Sequence, residues 1–325
     1  MSKSLKTLVI GTSLTEGSDA VVRTGLAIAR ATGASPWLIH VYPPLLGAYG
    51  AGVDAFWMEE QVKSLEEQVT DQARRTGLTE LAGFSPDQIR LVLGSPHWEI
   101  VDLARRVRAD LIVVGTAEPH RSLLGSTADR VIRKAPCPVF TVRSEAAFPP
   151  RRVEIPVDLS PISAHGLRRG TELLAQMGIP LTEAEVLFVL NPFEVAGSIT
   201  FTPEQIQRFA NEELHRFVAK NTAEGARPRL TRVRSGYPRE EILAAFEETG
   251  ADLAVLGTQG RSGFERLMIG SVAGGVLQSA RCNLLIVPPA ADHPEATAED
   301  DKKRAGADWT YVSDEDKSPV ASVRS

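Results

Sequence analysis

A glycine-rich stretch in the second half of the chain has the residue types and the spacing to hold a phosphate chain. It reads GTQGRSGFERLMIGSVAGG, and its first glycine directly follows the apolar run ADLAVL. Gly257, Gly260 and Gly270 carry no Cβ atom, so a phosphate can approach their backbone N–H groups closely. Ser271 stands where a helix is expected to begin, and the unpaired amides and dipole at a helix N-terminus favour negative charge. The spacing Gly-x2-Gly-x9-Gly-Ser therefore predicts an anion site that folds over a ribose and its phosphates.

The elements that position this stretch belong to a parallel α/β fold. Short apolar runs alternate with amphipathic helical patterns along residues 5–289, which indicates parallel strands joined by crossover helices. We therefore predict the α/β class, with two tandem open parallel five-stranded sheets and helices on both faces. Ligands of such sheets bind at the carboxyl ends of the strands, which is where the glycine-rich loop lies.

The two halves of the chain repeat one another. Corresponding residues recur in the same order at spacings of 142 to 148 positions. The pairs are Ser13 and Asp158, Val41 and Val189, Gly94 and Gly236, Gly115 and Gly257, Gly125 and Gly270, and Cys137 and Cys282. Two prolines in AAFPPRR mark the join, because proline cannot continue a strand ladder. We predict domains at residues 1–147 and 148–290, followed by a disordered acidic tail at 291–325.

The duplicated pattern resembles the universal stress protein family in its ATP-binding form. The resemblance covers residues 5–289, and in the second half the glycine-rich loop, PVDLSP, GYP and CNLLIVPP carry it. The matching stretches of the first half are TSLTEGSDA, HVYPP, GSPHWEI, LIVVGT and APCPVFTV. The resemblance implies a Rossmann-like fold of the adenine-nucleotide alpha hydrolase type, and a bound ATP accompanied by Mg or Mn.

The resemblance also implies a role for individual residues of the second half. The implied set is Pro156 and the backbone of Val189 for the adenine, Asp158, Leu256 and Gly257 for the ribose, and Gly260, Gly270, Ser271 and Val272 for the phosphates. Two local roles stay open beside these. Asp158 could close an Asx turn or cap a helix at the end of its strand, and Ser271 could simply cap its helix.

The first half departs from the phosphate-binding pattern. Glu118 occupies the place of the second glycine, Pro119 removes a donor, and three residues are missing before Gly125. Ser13 stands where the second half has Asp158. A carboxylate about 4 Å from a phosphate opposes it by roughly 4 kcal/mol at an effective dielectric near 20. We therefore expect ATP in the second half only, while a different ligand in the altered first site stays open.

We expect residues 1–147 to serve as a scaffold that pairs with the second half. In relatives of this kind the domains pair through their last strands, which are predicted here at Val139 to Arg143 and Leu284 to Val287. The duplication makes this contact an intramolecular pseudo-dimer. A further homodimer stays open.

Composition argues against several other classes of function. The net charge is −5 and no basic patch is present, so neither nucleic acid nor an anionic membrane surface is an expected partner. No apolar run reaches the roughly 18 residues of a membrane span, and we expect a cytoplasmic location. The chain lacks a lysine-containing phosphate loop and a Gly-x-Ser-x-Gly motif, which favours stress-response binding over fast catalysis. The alternatives are a slow ATPase or nucleotidyl-transferring enzyme, and a nucleotide-independent interaction protein.

Overall fold

The computed structural model describes residues 4–15, 17–43, 55–116, 126–143, 148–191, 202–258 and 269–289. Among the features that the sequence predicts, Gly260, Glu118, Pro119, Gly125 and the tail at 291–325 lie outside these residues. Within the described part of the chain, no helix is long and apolar enough to cross a membrane.

The first repeat alternates strands and helices in the predicted order. Its elements are β1 (Thr7–Thr12), α1 (Ser18–Thr32), β2 (Ser35–Tyr42), α2 (Ala55–Arg75), β3 (Ile89–Leu93), α3 (Pro96–Arg106), β4 (Leu111–Gly115), α4 (Thr127–Lys134) and β5 (Val139–Val142). Local chemistry sets the boundaries. Gly33, for example, ends α1 with a left-handed φ of 70°, and its N–H donates to Ala29 O at 2.8 Å.

The second repeat has the same order of elements. They are β6 (Val153–Val157), α5 (Pro161–Gln176), β7 (Ala184–Leu190), α6 (Pro203–Asn221), β8 (Leu230–Ser235), α7 (Pro238–Thr249), β9 (Leu253–Gly257), α8 (Ser271–Ser279) and β10 (Asn283–Val287). The sequence predicts that Thr202 caps a helix beginning at Pro203, and α6 begins in this way. The sequence pattern predicts α5 from Ala164, but the helix begins three residues earlier, at Pro161, because the Ser160 hydroxyl accepts from Ser163 N at 3.0 Å and caps it.

The ten strands form one sheet in the order β3-β2-β1-β4-β5-β10-β9-β6-β7-β8. Each repeat contributes five parallel strands in the doubly wound order 3-2-1-4-5, which confirms the predicted fold class. The repeats meet where β5 and β10 pair antiparallel, with Thr141 opposite Leu284 and Phe140 opposite Leu285. The predicted pairing of the two last strands is therefore present within the chain.

Helices cover both faces of this sheet, and each face has its own apolar core. Alternate residues of β1 point to opposite faces, so that Leu8 and Ile10 belong to one core and Val9 to the other. The first core packs α1, α2, α5 and α6 against the sheet, and the second packs α3, α4, α7 and α8. Since both faces are buried, the inner strands are apolar without interruption, as in Leu111 to Val114.

Candidate functional site

A cavity of about 350 Å³ lies at the carboxyl ends of β6, β7 and β9, beside the start of α8. Its volume falls in the range of small-molecule sites, roughly 300–1,000 Å³. The structure brings together here the sequence-predicted residues that it describes, which are Pro156, Asp158, Val189, Leu256, Gly257, Gly270, Ser271 and Val272. The remaining predicted residue, Gly260, lies outside the described part of the chain.

The cavity opens where two neighbouring strands part. Strands β6 and β9 pair only at Val153 with Leu253 and at Glu154 with Ala254. In this register the next N–H of β6 that faces β9 belongs to residue 156, which is proline and has no N–H to donate. The order of strands also reverses between β6 and β9, and open α/β sheets bind ligands at such a point.

The strands at the corresponding place in the first repeat stay paired over a longer stretch. Gly11 stands where the second repeat has Pro156, and β1 continues its pairing with β4 as far as Gly11 opposite Val114. The Ile100 side chain of α3 lies directly over Gly11, because a Cβ atom built there would be 2.9 Å from Ile100 Cδ1. Ile242 holds the same place as Ile100 in α7 and lines the cavity, so among the described residues the two repeats differ here in the length of the strand ladder.

Asp158 lines the cavity and lies on a tight turn. Its Oδ1 accepts from Ser160 N at 3.0 Å, and its own N–H donates to Ser163 Oγ at 3.2 Å. Leu159 between them has a left-handed φ of 62°, a conformation that costs a residue with a Cβ atom about 1–2 kcal/mol. The Asx turn that the sequence left open is thus present, and it holds the carboxylate on the cavity wall.

The first turn of α8 supplies amide groups to the same cavity. The first helical hydrogen bond is donated by Gly274 N to Gly270 O at 2.7 Å, so the N–H groups of Ser271, Val272 and Ala273 precede it. The Gly270 N–H was predicted to face a phosphate, but it donates to Thr258 O at 2.9 Å and closes the end of the loop instead. Of the described residues predicted to present an amide to the phosphates, Gly270 therefore uses its N–H within the protein, whereas the N–H groups of Ser271 and Val272 precede the first helical hydrogen bond.

Helix α4 of the first repeat uses its N-terminal amides internally. The Ser126 hydroxyl accepts from Asp129 N at 3.2 Å, and Asp129 adds a negative charge in the first turn. Helix α8 has Gly270 at its N-cap position, which has no side chain to cap the helix, and α8 has no acidic residue in its first turn. The N-terminus of α4 is therefore capped by its own residues, whereas the N-terminus of α8 is able to receive an anion.

Sequence reasoning missed half of the described cavity wall. The additional residues are Val157, Ser163, Phe188, Asn191, Pro238, Ile242, Ala273 and Val276. Pro238 belongs to the GYP stretch and Ser163 follows PVDLSP, so these two motifs pointed towards the site. Phe188, Ile242 and Val276 are apolar residues whose periodicity indicates core, and the sequence cannot tell a core position from a cavity wall. Together they make part of the cavity lining apolar, as is usual for small-molecule sites.

Comparisons with known proteins agree with the duplication. The model of the universal stress protein family matches residues 4–143 and 150–288. A universal stress protein of Mycolicibacterium smegmatis is 26% identical over 295 residues, which are 87% of this chain and 97% of that protein. One of Methanocaldococcus jannaschii is 30% identical over 140 residues, which are 42% of this chain and 81% of that protein.

Solved structures share the fold. The crystal structure of a universal stress protein from Archaeoglobus fulgidus has a TM-score of 0.60 at 19% identity, and the match covers 89% of this chain and 98% of that one. A universal stress protein crystallised in complex with cAMP is 26% identical, with a TM-score of 0.33, over 43% of this chain and 98% of its own. The Archaeoglobus fulgidus match runs through both repeats, so the tandem arrangement is common to the two proteins.

Proposed function

The chain belongs to the universal stress protein family through both of its repeats, and we propose that it is a cytoplasmic stress-response protein whose second repeat binds ATP. The observation that carries this proposal is the crevice between β6 and β9, which opens at Pro156. The residues that line it include apolar side chains, the carboxylate residue Asp158, and Ser271, Val272 and Ala273 of the first turn of α8. These three parts match the base, the ribose and the phosphates of a nucleotide.

Each part of the nucleotide has a place in this proposal. Asp158 accepts hydrogen bonds from the ribose hydroxyls, and the amides of Ser271 and Val272 donate to the phosphates. The assigned neighbours are Pro156 and Val189 at the adenine, Leu256 and Gly257 at the ribose, and Gly260 and Gly270 around the phosphates.

A divalent cation, Mg²⁺ or Mn²⁺, accompanies the nucleotide in this proposal. Among the described residues, no group of three or more His, Cys, Asp or Glu could hold a metal ion by itself. Mg²⁺ in nucleotide sites takes phosphate oxygens and waters together with one or two carboxylates. Asp158 is the single carboxylate among the described residues that line the cavity. The cation therefore binds with the nucleotide and not ahead of it.

Binding fits this site better than rapid phosphoryl transfer. Enzymes of that class place a lysine or arginine on the transferred phosphate and a base beside the nucleophile. None of the described residues that line the cavity is a lysine or an arginine. We therefore propose that the nucleotide state, and not turnover, is what the protein communicates.

Titration calorimetry with ATP, ADP, AMP and cyclic AMP tests the proposal. We expect ATP to bind at one site per chain, since the first repeat has Glu118 in its loop and Ser13 in place of Asp158, and its β1–β4 ladder continues to Gly11. Gly270→Asp should abolish binding, because it sets a carboxylate where the phosphates lie and opposes them by roughly 4 kcal/mol. The matched control is Gly125→Asp in the first repeat, which should bind as the native protein does. Normal ATP binding by Gly270→Asp, or two sites per chain, would show that the proposal is wrong.

A further inference from the structure

Helix α8, which borders the proposed phosphate site, has few means of holding its own conformation. Gly274 and Gly275 lie in its interior, and glycine is among the poorest helix formers. The helix has no capping side chain at Gly270, no acidic residue in its first turn and no basic residue in its last. An isolated helix of nine residues is in any case too short to be stable in water. Its order must therefore come from groups outside it.

The corresponding helix α4 carries these groups itself. Ser126 caps its N-terminus and Asp129 lies in its first turn. Arg133 and Lys134 lie in its last turn, where positive charge complements the helix dipole. The helix that lacks these groups, α8, is therefore the one that borders the cavity.

One external group comes from the neighbouring helix α7. A Cβ atom built at Gly275 would lie 2.6 Å from Arg239 Cδ, so the arginine side chain crosses α8 over this glycine. Arg239 Nη2 then donates to Ser279 Oγ at 3.0 Å. Gly275 is therefore required by close packing of a side chain. Gly274 has no such neighbour, since a Cβ atom there would meet only Ile269 at 3.8 Å.

The other external group comes from the first repeat. Arg143 follows β5, and its guanidinium donates to Leu277 O and to Ala280 O at the C-terminal end of α8. Its main-chain N–H donates to Asn283 Oδ1 at 2.8 Å, which fixes the residue against the start of β10. Carbonyl groups at a helix end have no partner within the helix, and a cation there opposes the dipole favourably.

We propose that Arg143 is a positioning residue through which the first repeat orders α8, and with it the amides of Ser271 and Val272 that face the cavity. This inference rests on the proposed function, because it assigns to the first repeat a part in phosphate binding. The first repeat caps a helix of the second repeat in this way, but the second repeat does not cap α4 of the first through the corresponding residue. The residue of the second repeat that corresponds to Arg143 is Pro288, whose side chain has no donor with which to cap α4 in return.

Burial of the positively charged Arg143 guanidinium costs free energy of desolvation. Burial lowers the pKa of the Arg143 guanidinium to about 10. The carbonyl groups at the end of α8 offset that cost, which makes the helix end and the arginine depend on each other. Arginine suits this role because its planar fork reaches two acceptors at once, whereas lysine presents a single point charge.

The test compares Arg143→Gln and Arg143→Lys with the control Arg133→Gln, whose ion pair to Asp129 lies within α4. Calorimetry measures the affinity of each full-length variant for ATP and for adenosine, which lacks phosphates. Hydrogen exchange of the ligand-free proteins measures the protection of residues 271–279. We expect Arg143→Gln to lower the affinity for ATP about tenfold, the loss typical of one charge-assisted hydrogen bond. Adenosine should bind with unchanged affinity, exchange in α8 should accelerate, and Arg143→Lys should fall between Arg143→Gln and the native protein.

Each outcome decides the inference. Unchanged α8 exchange in Arg143→Gln would overturn it, and so would faster exchange with unchanged ATP affinity. An equal loss of ATP and adenosine would show a general weakening of the fold and would also overturn it. Failure of the native protein to bind ATP would overturn the proposed function alone, because exchange in the ligand-free variants still decides whether Arg143 orders α8.

Discussion

Asp158 joins a local structural role to the proposed ribose contact. Its Oδ1 accepts from Ser160 N at 3.0 Å, which forms the turn between β6 and α5. A carboxylate has about four acceptor positions, so a hydrogen bond of the turn and hydrogen bonds from a ligand can share the same group. The sequence presented the turn and the ligand contact as alternatives. In the structure they are compatible, because the turn is what places the carboxylate on the cavity wall.

Asp158→Asn separates these two roles. Asparagine keeps an acceptor for Ser160 N and loses the negative charge, so we expect little change in the free energy of unfolding. ATP affinity should fall roughly tenfold or more, the usual cost of losing hydrogen bonds to a charged group. Calorimetry with ATP and with 2′,3′-dideoxy-ATP measures the effect. The native protein should prefer ATP and the variant should not distinguish them, whereas an equal loss for both nucleotides would contradict the ribose contact.

Glu154 is a buried carboxyl group two residues before Pro156, with 2% of its surface exposed. Burial, and after it the neighbouring Glu185 carboxylate on β7, raise its pKa to about 7 against a hydrogen bond from Thr249 and the charges of Arg232 and Arg229. Glu185 has partners of its own in Arg229 and Arg232 on the side of β8. Glu154 therefore takes up a proton near neutral pH.

The stability of the protein should depend on pH through Glu154. The raised pKa means that the folded state binds the proton more tightly than the unfolded state, so this contribution is complete below pH 4.5 and is lost as pH rises to about 7. Through this group the free energy of unfolding changes by at most about 1.4 kcal/mol for each pH unit. Urea unfolding at several pH values should show a shallower fall for Glu154→Gln than for the native protein. The exposed residue Glu240 provides the control variant Glu240→Gln, and identical slopes in all three proteins would contradict the prediction.

At the scale of elements, the cavity is the result of a ladder that stops early. Strands β1 and β4 pair over four positions, from Leu8 to Gly11, whereas β6 and β9 pair over two. The interruption coincides with Pro156, which replaces the glycine of the first repeat. A single backbone donor thus distinguishes a closed strand pair from one that leaves room for a ligand.

Pro156→Ala restores this donor. We expect the β6–β9 ladder to extend, with the free energy of unfolding rising by about 0.5–1.5 kcal/mol for one hydrogen bond. The crevice should narrow, and ATP affinity should fall. Thermal unfolding, calorimetry and the exchange rate of the new amide at position 156 measure these effects. The control is Pro203→Ala at the start of α6, and a Pro156→Ala variant with native ATP affinity would show that the missing donor does not open the site.

Sequence reasoning was accurate for elements whose ends depend on local chemistry. The start of α6 was predicted at its observed residue because Thr202 and Pro203 act within a single turn. The start of α5 was predicted three residues too late, since the Ser160 cap was read as part of the preceding loop. The short β6–β9 ladder and the engagement of Gly270 N with Thr258 O were not predicted. Both depend on partners distant along the chain, which local patterns do not contain.

At the scale of the whole molecule, the duplication has produced one sheet and not two separate ones. Thr141 and Phe140 of β5 pair with Leu284 and Leu285 of β10, and all four residues have at most 1% of their surface exposed. The contact between repeats is therefore as buried as the interior of either one. A boundary of this kind transmits unfolding, because neither repeat can open without exposing the last strand of the other. We expect the two repeats to unfold as a single cooperative unit.

The tryptophans provide a test of this cooperativity, because none of the four lies in the second repeat. Trp37, Trp57 and Trp98 belong to the first repeat, and Trp309→Phe removes the remaining one. ATP at 100 times its dissociation constant should raise the free energy of unfolding by about 2.7 kcal/mol. Tryptophan fluorescence during urea unfolding should report this whole increase, although the ligand binds in the other repeat. A fluorescence transition that ATP leaves unmoved, beside a second transition that ATP shifts, would mean that the repeats unfold independently in spite of their shared sheet.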